Sequence, residues 1–208
     1  MDRRQSQIVR EFPVPKIQAA TIGENREMRR QQLMSAALEL AISKGAQAIT
    51  VAAVAQKAGL ARSSIYEYFS SSADLVADLV MEELDYYTGR LGQAISGATD
   101  PFEKIELWIA EGLQYVVDGR HMLVKSLNTI TTPDYRKEEI MMGHRKLIAP
   151  LREALTQTGI TDLAGAAAFI SSVTDAASVR IESGSEPVRE IQNATTFALA
   201  GLRALATN

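Results

Sequence analysis

A short stretch, residues 62–68, is crowded with side chains that form hydrogen bonds. It carries one guanidinium, four hydroxyl groups and one carboxylate, on Arg62, Ser63, Ser64, Tyr66, Tyr68 and Glu67. A guanidinium can donate two hydrogen bonds to guanine O6 and N7, a carboxylate can accept one from cytosine N4, and hydroxyls bind phosphate oxygens or base edges. The chain has no cysteine and only two histidines, far apart, so neither a thiolate nucleophile nor a zinc site is expected. The stretch therefore predicts hydrogen bonding to nucleic acid.

Glu67 is the member of this stretch with two open interpretations. A carboxylate beside phosphates is repelled unless it accepts a hydrogen bond, and the cytosine amino group is the usual donor. In the second interpretation, Glu67 pairs within the chain, with Arg62 or another basic neighbour. The first makes it a base-reading residue, and the second makes it part of the protein's own packing.

The residues around this stretch predict two short helices joined by a tight turn. Thr50 is expected to cap the first helix, because its hydroxyl can accept a hydrogen bond from a free backbone N–H. Gly59 then ends that helix, since glycine adopts positive φ without steric cost. The second helix is predicted from Ala61 to Phe69, with Ile65 and Phe69 four positions apart on its buried face. The opposite polar face is free to enter a groove of DNA, as in a helix-turn-helix.

The same region resembles the DNA-binding domain of the TetR family of bacterial transcriptional regulators. Three pieces in one register carry the resemblance: Val54–Leu60 (VAQKAGL), Ser64–Phe69 (SIYEYF) and Asp74–Leu75. It covers roughly residues 28–80. For the whole chain the resemblance implies an all-helical fold, a homodimer, and a variable C-terminal domain that usually senses a small molecule.

The resemblance also implies which residues meet DNA. They are Arg29 and Arg30 near the start of the first helix, Thr50, and Arg62, Ser63, Ser64, Tyr66, Glu67, Tyr68 and Ser72. Two positions depart from the family pattern. Ala61 stands where a Ser or Thr cap is frequent, and Ser72 stands where a lysine usually reaches a phosphate. Without this lysine, affinity for the DNA backbone is expected to be weaker. The arginines are then expected to make a larger share of the phosphate contacts.

The net charge of the chain, −3, is unevenly distributed. Residues 1–70 contain 10 Lys/Arg and 6 Asp/Glu, whereas the remainder contains 12 and 19. Salt screens charges beyond about 10 Å, so a basic N-terminal third on an acidic body is compatible with DNA binding. Chance variation in surface charge is the alternative explanation.

The order of helix start and stop signals predicts an all-α protein of about nine helices in three regions. Residues 1–24 are expected to form a mobile basic arm, which either contacts DNA or has no role. Residues 25–71 form a three-helix helix-turn-helix domain, whose first helix runs from a cap at Asn25 to Lys44. Residues 72–208 form a helical effector-binding and dimerisation domain. There, Asp100 and Pro101 start one helix, and Pro150 is expected to kink another.

Large side chains between residues 108 and 144 are candidates for an effector cavity, as the resemblance implies for this region. The candidates are Trp108, Glu111, Tyr115, Met122, Met141 and His144. Plain core packing is the alternative for each apolar member, whereas a polar member such as Glu111 or His144 can orient a ligand. The sequence does not identify the effector.

The last two predicted helices, residues 161–184 and 186–206, are rich in small residues. Small side chains let helix axes approach closely, and this much apolar surface favours a partner pair of helices. The resemblance implies a four-helix bundle at a two-fold interface. Its candidates are Ala167, Ile170, Val173, Ala177, Ile191, Ala194, Ala198 and Leu202. The alternative is burial of both helices within one chain.

Together these features predict a ligand-responsive transcriptional regulator, most often a repressor in the resembled family. It would bind a palindromic operator as a homodimer and be released by a small molecule. A helical partner-binding module that has kept the fold but lost DNA binding is the alternative. An enzyme is disfavoured, and no catalytic residue, cofactor or metal is expected. No apolar run can span a bilayer and the N-terminus lacks the apolar core of a signal peptide, so a cytoplasmic location is expected.

Overall fold

Helices and the turns between them make up residues 22–206, the part of the chain that the computed structural model describes. These residues contain α1 (Ile22–Lys44), α2 (Val51–Ala58), α3 (Arg62–Ile65), α4 (Ser72–Ile95), α5 (Pro101–Val117), α6 (Arg120–Leu127), α7 (Asp134–Gln157), α8 (Leu163–Glu182) and α9 (Pro187–Ala206). A 3₁₀ turn, Ala46–Ala48, follows α1. The predicted all-α class and the number of helices are confirmed for this part of the chain.

The start of α1 differs from the prediction. The helix begins at Ile22, so Asn25 lies inside it and the predicted cap there is wrong. Gly23 lies inside the helix, because glycine keeps its backbone N–H and C=O and costs a helix only about 1 kcal/mol relative to alanine. Glu24 lies in the first turn, where its charge is favourable to the helix dipole. Residues 1–21, which make up most of the predicted basic arm, lie outside the described residues.

Several predicted helix ends are confirmed by their backbone geometry. The Thr50 hydroxyl accepts a hydrogen bond from the Ala53 N–H at 3.1 Å. Gly59 ends α2 in the left-handed conformation, with φ of 68°. The Asp100 carboxylate accepts from the Glu103 N–H at 2.9 Å and thereby caps α5, with Pro101 in its first turn. These ends follow from neighbours in the sequence, which is why they were predictable.

The chain forms two compact units, and each is built from two segments. The first contains the residues up to Glu83 together with Gly119–Met141, and the second contains Leu84–Asp118 together with the residues from Met142 onward. Helices α4 and α7 each contribute one part to each unit. The division at residue 72 that the sequence suggested follows chain order and stays a prediction.

The core of the first unit brings α1, α2, α3, the first half of α4 and α6 together. Its buried side chains include Leu33, Leu40, Ile49, Val54, Ile65, Phe69, Leu75 and Leu127. Two hydrogen bonds join the end of α6 to the 3₁₀ turn. The Ser126 hydroxyl accepts from the Ala46 N–H at 2.9 Å, and the Gln47 side chain donates to the Thr129 hydroxyl at 3.2 Å.

The core of the second unit is formed by α5, the later part of α7, α8 and α9. Its buried side chains include Ile105, Ile109, Leu113, Leu151, Leu155, Ile170, Ile181, Leu199 and Leu202. Pro150 lies inside α7, which continues as a helix on both sides of it. Among the helices of residues 22–206, none has both the length and the apolar character that crossing a membrane requires.

Candidate nucleic-acid interface and effector site

Helix α3 is a single turn and ends at Ile65, four residues before the predicted end at Phe69. Beyond Ile65 the backbone hydrogen bonds of Tyr66, Glu67 and Tyr68 span three residues, whereas that of Phe69 spans four. The Tyr66 N–H donates to the Ser63 carbonyl at 3.3 Å, and the Tyr68 N–H donates to the Ile65 carbonyl at 2.9 Å. This is the 3₁₀ pattern that tightens the end of a helix. Because the chain keeps coiling in the same sense, the predicted inward and outward faces are retained.

The two faces of this segment are divided as predicted. Ile65 and Phe69 are 0% and 1% exposed and anchor the segment to the core of the first unit. On the opposite edge Arg62, Ser63, Tyr66 and Glu67 are exposed, and Ser64 and Tyr68 are half-buried. Ala61 precedes α3 without a side-chain cap, as its residue type predicts. The exposed edge therefore presents one guanidinium, one carboxylate and several hydroxyls to an incoming partner.

The internal pairing considered for Glu67 does not form. Within residues 22–206, neither the Glu67 carboxylate nor the Arg62 guanidinium has an ion-pair partner. The backbone carbonyl of Glu67, in contrast, accepts a hydrogen bond from the Arg26 guanidinium at 3.4 Å. That guanidinium also lies 5.9 Å from the centre of the Tyr68 ring. Arg26 therefore braces this edge from the first turns of α1.

Arg30 has a different role from the predicted phosphate contact. Its Nη2 donates to Asp78 Oδ2 at 2.6 Å, and its Nη1 lies 3.5 Å from Glu82 Oε1. Burial acts to lower the pKa of Arg30, but the hydrogen bond and charge of Asp78 outweigh it and raise the pKa. Because this cation is held inside the first unit, we leave Arg30 out of the proposed DNA contacts. Arg29 is exposed.

The start of α4 is fixed by a variant of the capping box. The Ser71 hydroxyl accepts from the Asp74 N–H at 3.1 Å, and the Asp74 carboxylate accepts from the Ser70 N–H at 3.1 Å. The return hydrogen bond thus reaches one residue earlier than in the usual box. Ser72, the first residue of α4, is half-buried. The Thr50 hydroxyl caps the start of α2 and the Ser71 hydroxyl caps the start of α4. The exposed edge of α3 therefore lies between two helices whose starts are fixed by hydrogen bonds.

Three of the six predicted effector residues lie on α5. The Trp108 Nε1 and the Glu111 Oε1 are buried, and among the described residues neither has a hydrogen-bond partner. Arg90 Nε lies 2.5 Å from Glu111 Oε1, an ion pair whose geometry is not that of a hydrogen bond. Tyr115 is buried and stacks on Tyr87, with ring centres 4.1 Å apart. The spacing of Trp108, Glu111 and Tyr115 places them on one face of the helix.

The other three predicted effector residues are surface residues of their units. Met122 and Met141, in the first unit, are 54% and 46% exposed, and His144, in the second, is exposed. Sequence reasoning missed Tyr87, Arg90 and Asp118. Tyr87 stacks on Tyr115, and Arg90 pairs with Glu111 and Asp118. The members of each pair are more than twenty positions apart in the sequence. Burial raises the pKa of Tyr87 to about 12, and the nearby charge of Glu111 acts in the same direction.

Five of the eight residues predicted for a dimer interface are buried within the chain itself, and the interface stays a prediction. Ile170, Ala177, Ala194, Ala198 and Leu202 belong to the core of the second unit, and Ala167, Val173 and Ile191 pack against it. The exposed apolar side chains lie one position earlier, at Phe169 (63% exposed) and Phe197 (72%). A groove of about 390 Å³ lies there, lined by Phe169, Ile170, Ser172, Val173, Phe197, Ala198, Gly201, Leu202 and Leu205.

The short helix α2, the turn at Gly59 and α3 with its exposed polar edge define a helix-turn-helix protein. Residues 33–79 match the family described as "Bacterial regulatory proteins, tetR family". The family match covers the helix-turn-helix region, as the resemblance predicted. In the described part of the chain, no group of three His, Cys, Asp or Glu side chains is placed to hold a metal ion.

Similar named proteins match part of the chain. One is the HTH-type transcriptional repressor KstR2 of Mycolicibacterium smegmatis, 34% identical over 77 residues, which are 37% of this chain and 38% of that protein. Another is the HTH-type transcriptional regulator HbdR of Aromatoleum sp., 32% identical over 79 residues, which are 38% of this chain and 34% of that protein. The match thus spans little more than a third of each relative. These relatives are regulators and not enzymes, in agreement with the prediction.

A solved structure extends the similarity of fold to most of the chain. The transcriptional regulator FadR from Bacillus subtilis, in complex with stearoyl-CoA, superposes with a TM-score of 0.67. The superposition covers 82% of this chain and 97% of that one, at 21% sequence identity. At this identity, the fold is what the two proteins share.

Proposed function

We propose that this protein is a transcriptional regulator that binds a palindromic DNA operator as a homodimer and is released by a small molecule. In this proposal it acts as a repressor in the cytoplasm. The observation that carries the proposal is the division of faces around α3. Ile65 and Phe69 are fully buried, and the guanidinium, carboxylate and hydroxyls on the opposite edge are exposed. The family match over residues 33–79 and the two named relatives support the same function.

In this proposal each side chain of the exposed edge has a chemical role. Arg62 donates to guanine O6 and N7, and Glu67 accepts from a cytosine amino group. Ser63, Ser64 and Tyr66 bond to phosphates or base edges, without adding charge. The absence of an ion pair for Arg62 and Glu67 within residues 22–206 supports these assignments, because both charges remain available.

The remaining predicted contacts surround this edge. Arg29, which is exposed, provides a cation near the start of α1, and Thr50, Tyr68 and Ser72 lie at or next to the helix starts that flank α3. Thr50 already uses its hydroxyl oxygen as a helix cap, so it donates its hydroxyl hydrogen to a phosphate. Arg26 holds Tyr68 and the Glu67 carbonyl in place.

The proposed dimer forms through the apolar groove between α8 and α9. Phe197, Gly201 and Leu205 follow at four-residue spacing along α9, and Phe169 faces the groove from α8. Exposed apolar patches of this kind mark interaction sites, and a two-fold contact between identical patches is the commonest kind. A two-fold dimer presents two copies of α3, which is what an inverted-repeat operator requires.

Selection of bound sites from a pool of random DNA duplexes tests this function. We expect an enriched inverted repeat, with half-sites separated by about one helical turn or a multiple of it. A helical partner-binding module that has lost DNA binding would enrich no sequence. A salt titration separates the same two functions, since phosphate-driven binding falls steeply with salt concentration. Binding that is absent at low salt would refute the proposed function.

A further inference from the structure

The first turn of α7 is attached to the residue that follows Phe69. The Tyr135 hydroxyl forms a hydrogen bond of 3.0 Å with Ser70 Oγ. The Asp74 carboxylate accepts from both the N–H and the hydroxyl of Ser70, at 3.1 and 3.2 Å. Arg136 Nη1 donates to the other oxygen of Asp74 at 2.8 Å. Two neighbouring side chains of α7 therefore hold Ser70, one directly and one through Asp74.

Arg136 also joins this contact to the rest of the first unit. Its Nη2 donates to Asp78 Oδ1 at 2.6 Å, and the other oxygen of Asp78 accepts from Arg30 of α1, also at 2.6 Å. The side chains of Arg136, Asp74 and Asp78 are 14%, 14% and 17% exposed. Salt screens partly buried pairs less than surface pairs. Within the first unit, α1, α4 and the start of α7 are thereby fixed to one another.

The guanidinium of Arg136 is occupied by contacts within the protein. Each of its three nitrogens donates to a carboxylate, and the three carboxylates are those of Asp74, Asp78 and Glu139. One cation among three carboxylates leaves a net negative charge, which repels phosphate. Arg136 is therefore placed to position other residues and not to contact DNA.

Residues 62–69 depend on support from neighbouring elements. Helix α3 has only four residues, and a helix this short is not stable alone. Phe69 anchors the buried side, and Arg26 of α1 donates to the Glu67 carbonyl. Ser70 comes directly after Phe69, so its hydrogen bonds fix the end of this segment. A segment that is ordered in advance binds more tightly, because its chain entropy is lost before the DNA arrives.

We propose that Tyr135 and Arg136 are positioning residues for DNA binding, which hold residues 62–69 in the conformation that contacts the operator. They act through Ser70 and Asp74 and do not touch DNA. Their removal therefore lowers affinity by a similar factor for every sequence and leaves the number of phosphate contacts unchanged. The proposal rests on the proposed function, because it requires that residues 62–69 bind DNA.

Operator binding at several salt concentrations separates positioning from phosphate contact. Tyr135→Phe removes only the hydroxyl of a side chain that is 66% exposed, and we expect Kd for the selected operator to rise about two- to tenfold. We expect Arg136→Met to raise Kd by at least about tenfold, because it removes two links to α4. In both variants the slope of log Kd against log salt concentration should equal the wild-type slope. A slope reduced by about 0.9 would show a lost phosphate contact and overturn the proposal.

Lys137→Met provides a matched control. It removes one positive charge from the next position of α7, where Lys137 pairs with Asp134 and the two side chains are 63% and 94% exposed. We expect its Kd to stay within about twofold of the wild type. Equal losses in Lys137→Met and Arg136→Met would assign the effect to charge alone and overturn the proposal. An Arg136→Met protein that is less stable in urea but keeps wild-type affinity would also overturn it, since Arg136 would then only stabilise the fold.

A double-mutant cycle tests whether Tyr135 acts through Ser70. Ser70→Ala removes the other hydroxyl of the same hydrogen bond. Combined with Tyr135→Phe, it should raise Kd by less than the product of the two single factors, because both variants break one contact. Factors that simply multiply would overturn the assignment of Tyr135.

Hydrogen exchange distinguishes the failure of this proposal from the failure of the proposed function. The backbone N–H groups of residues 66–70 all donate hydrogen bonds. Without DNA, we expect them to exchange faster in Tyr135→Phe and Arg136→Met than in the wild type and Lys137→Met. If the wild type binds the operator and both variants keep its affinity, the positioning role is wrong and the function stands. If the wild type binds no DNA, the proposed function is wrong, and unchanged exchange rates would show that Tyr135 and Arg136 do not hold this segment either.

Discussion

The hydroxyl of Tyr87 occupies the space in which a side chain at Gly112 would begin. A Cβ at Gly112 would lie 2.9 Å from that oxygen, closer than side chains normally approach. Glycine inside a helix is less stable than alanine by roughly 0.8–1.0 kcal/mol. The contact with Tyr87 therefore gives a packing reason for glycine in the middle of α5.

This contact predicts opposite effects of the same substitution at two helical glycines. Gly112→Ala is expected to lower the free energy of unfolding by about 1–3 kcal/mol, because it overpacks against Tyr87. Gly89→Ala, where nothing lies within 4 Å of the added Cβ, is expected to raise it by roughly 0.5–1 kcal/mol. Urea unfolding measures both. Adding Tyr87→Phe to Gly112→Ala removes the clashing oxygen and should recover part of the loss. If the double variant shows no recovery, the explanation is wrong.

Arg62 is predicted to read a base. Arg62→Ala should weaken operator binding by roughly 1–3 kcal/mol and relax preference at one base position in each half-site. Arg152→Ala removes the same charge from an exposed site in the second unit and serves as the control. Binding to a set of single-base operator variants provides the measurement. A uniform loss across all sequences would mean that Arg62 holds phosphate.

Phe197 is predicted to hold the dimer together. It is 72% exposed in the single chain, so Phe197→Asp should fold and place a charge in the apolar groove. We expect monomers in sedimentation velocity, together with weaker binding to the inverted repeat. Val188→Asp, at another exposed position of the same helix but outside the groove, should stay dimeric. A dimeric Phe197→Asp protein would place the interface elsewhere.

The buried ion pair of the first unit predicts non-additive effects on stability. Arg120 donates to both carboxylate oxygens of Glu83, at 2.9 and 2.8 Å, and the two side chains are 1% and 3% exposed. Arg120→Met removes a guanidinium from a buried carboxylate and should cost about 3–5 kcal/mol. The double variant Glu83→Leu/Arg120→Met removes both charges and should recover much of that loss. Urea unfolding of the three proteins tests this, and simple additivity would contradict it.

The lowered pKa of Asp74 predicts that the stability of the folded protein falls in acid. Burial alone raises the pKa of Asp74, but hydrogen bonds from the Ser70 N–H and Arg136 lower it below its ordinary value. A carboxylate with a lowered folded pKa stabilises the fold above its unfolded pKa, and that contribution is lost as pH falls through the folded pKa. Asp74→Asn should therefore be less stable at pH 7 and less pH-dependent below about pH 4. Urea midpoints measured from pH 3 to pH 7 are the test, with Asp175→Asn, at an exposed position, as the control. An unchanged acid profile in Asp74→Asn would show that Asp74 has no such role.

The parts of the fold that were predictable from the sequence are those fixed by near neighbours. The Thr50 and Asp100 caps and the glycine ends depend on residues within one helical turn, so their signals are present in the local sequence. The extra turn of α1 was missed because Gly23 reads as a helix breaker. Glycine, however, costs a helix only about 1 kcal/mol relative to alanine, which the rest of α1 can offset.

Contacts between distant residues account for most of what the sequence did not reveal. Arg30 was predicted to meet phosphate, but its partner Asp78 lies 48 positions away. In α8 and α9 the outward faces also carry large apolar side chains, such as Phe169 and Phe197, so composition alone could not tell which apolar residues point outward. The structure places Ile170 and Ala198 inside and the preceding phenylalanines outside, a rotation of about 100° around each helix.

The discontinuity of the first unit bears on how the chain is made. Glu83 and Arg120, which pair inside that unit, are 37 positions apart, and the segment between them belongs to the other unit. When Glu83 is added to the growing chain, its partner Arg120 is still 37 residues from being made, and the segment that completes this unit ends only at Met141. A gene fragment that stops soon after α3 would encode an incomplete first unit, without α6 and the guanidinium of Arg120. Isolating the proposed DNA-contacting part therefore requires a fragment that also contains α6 and Arg120.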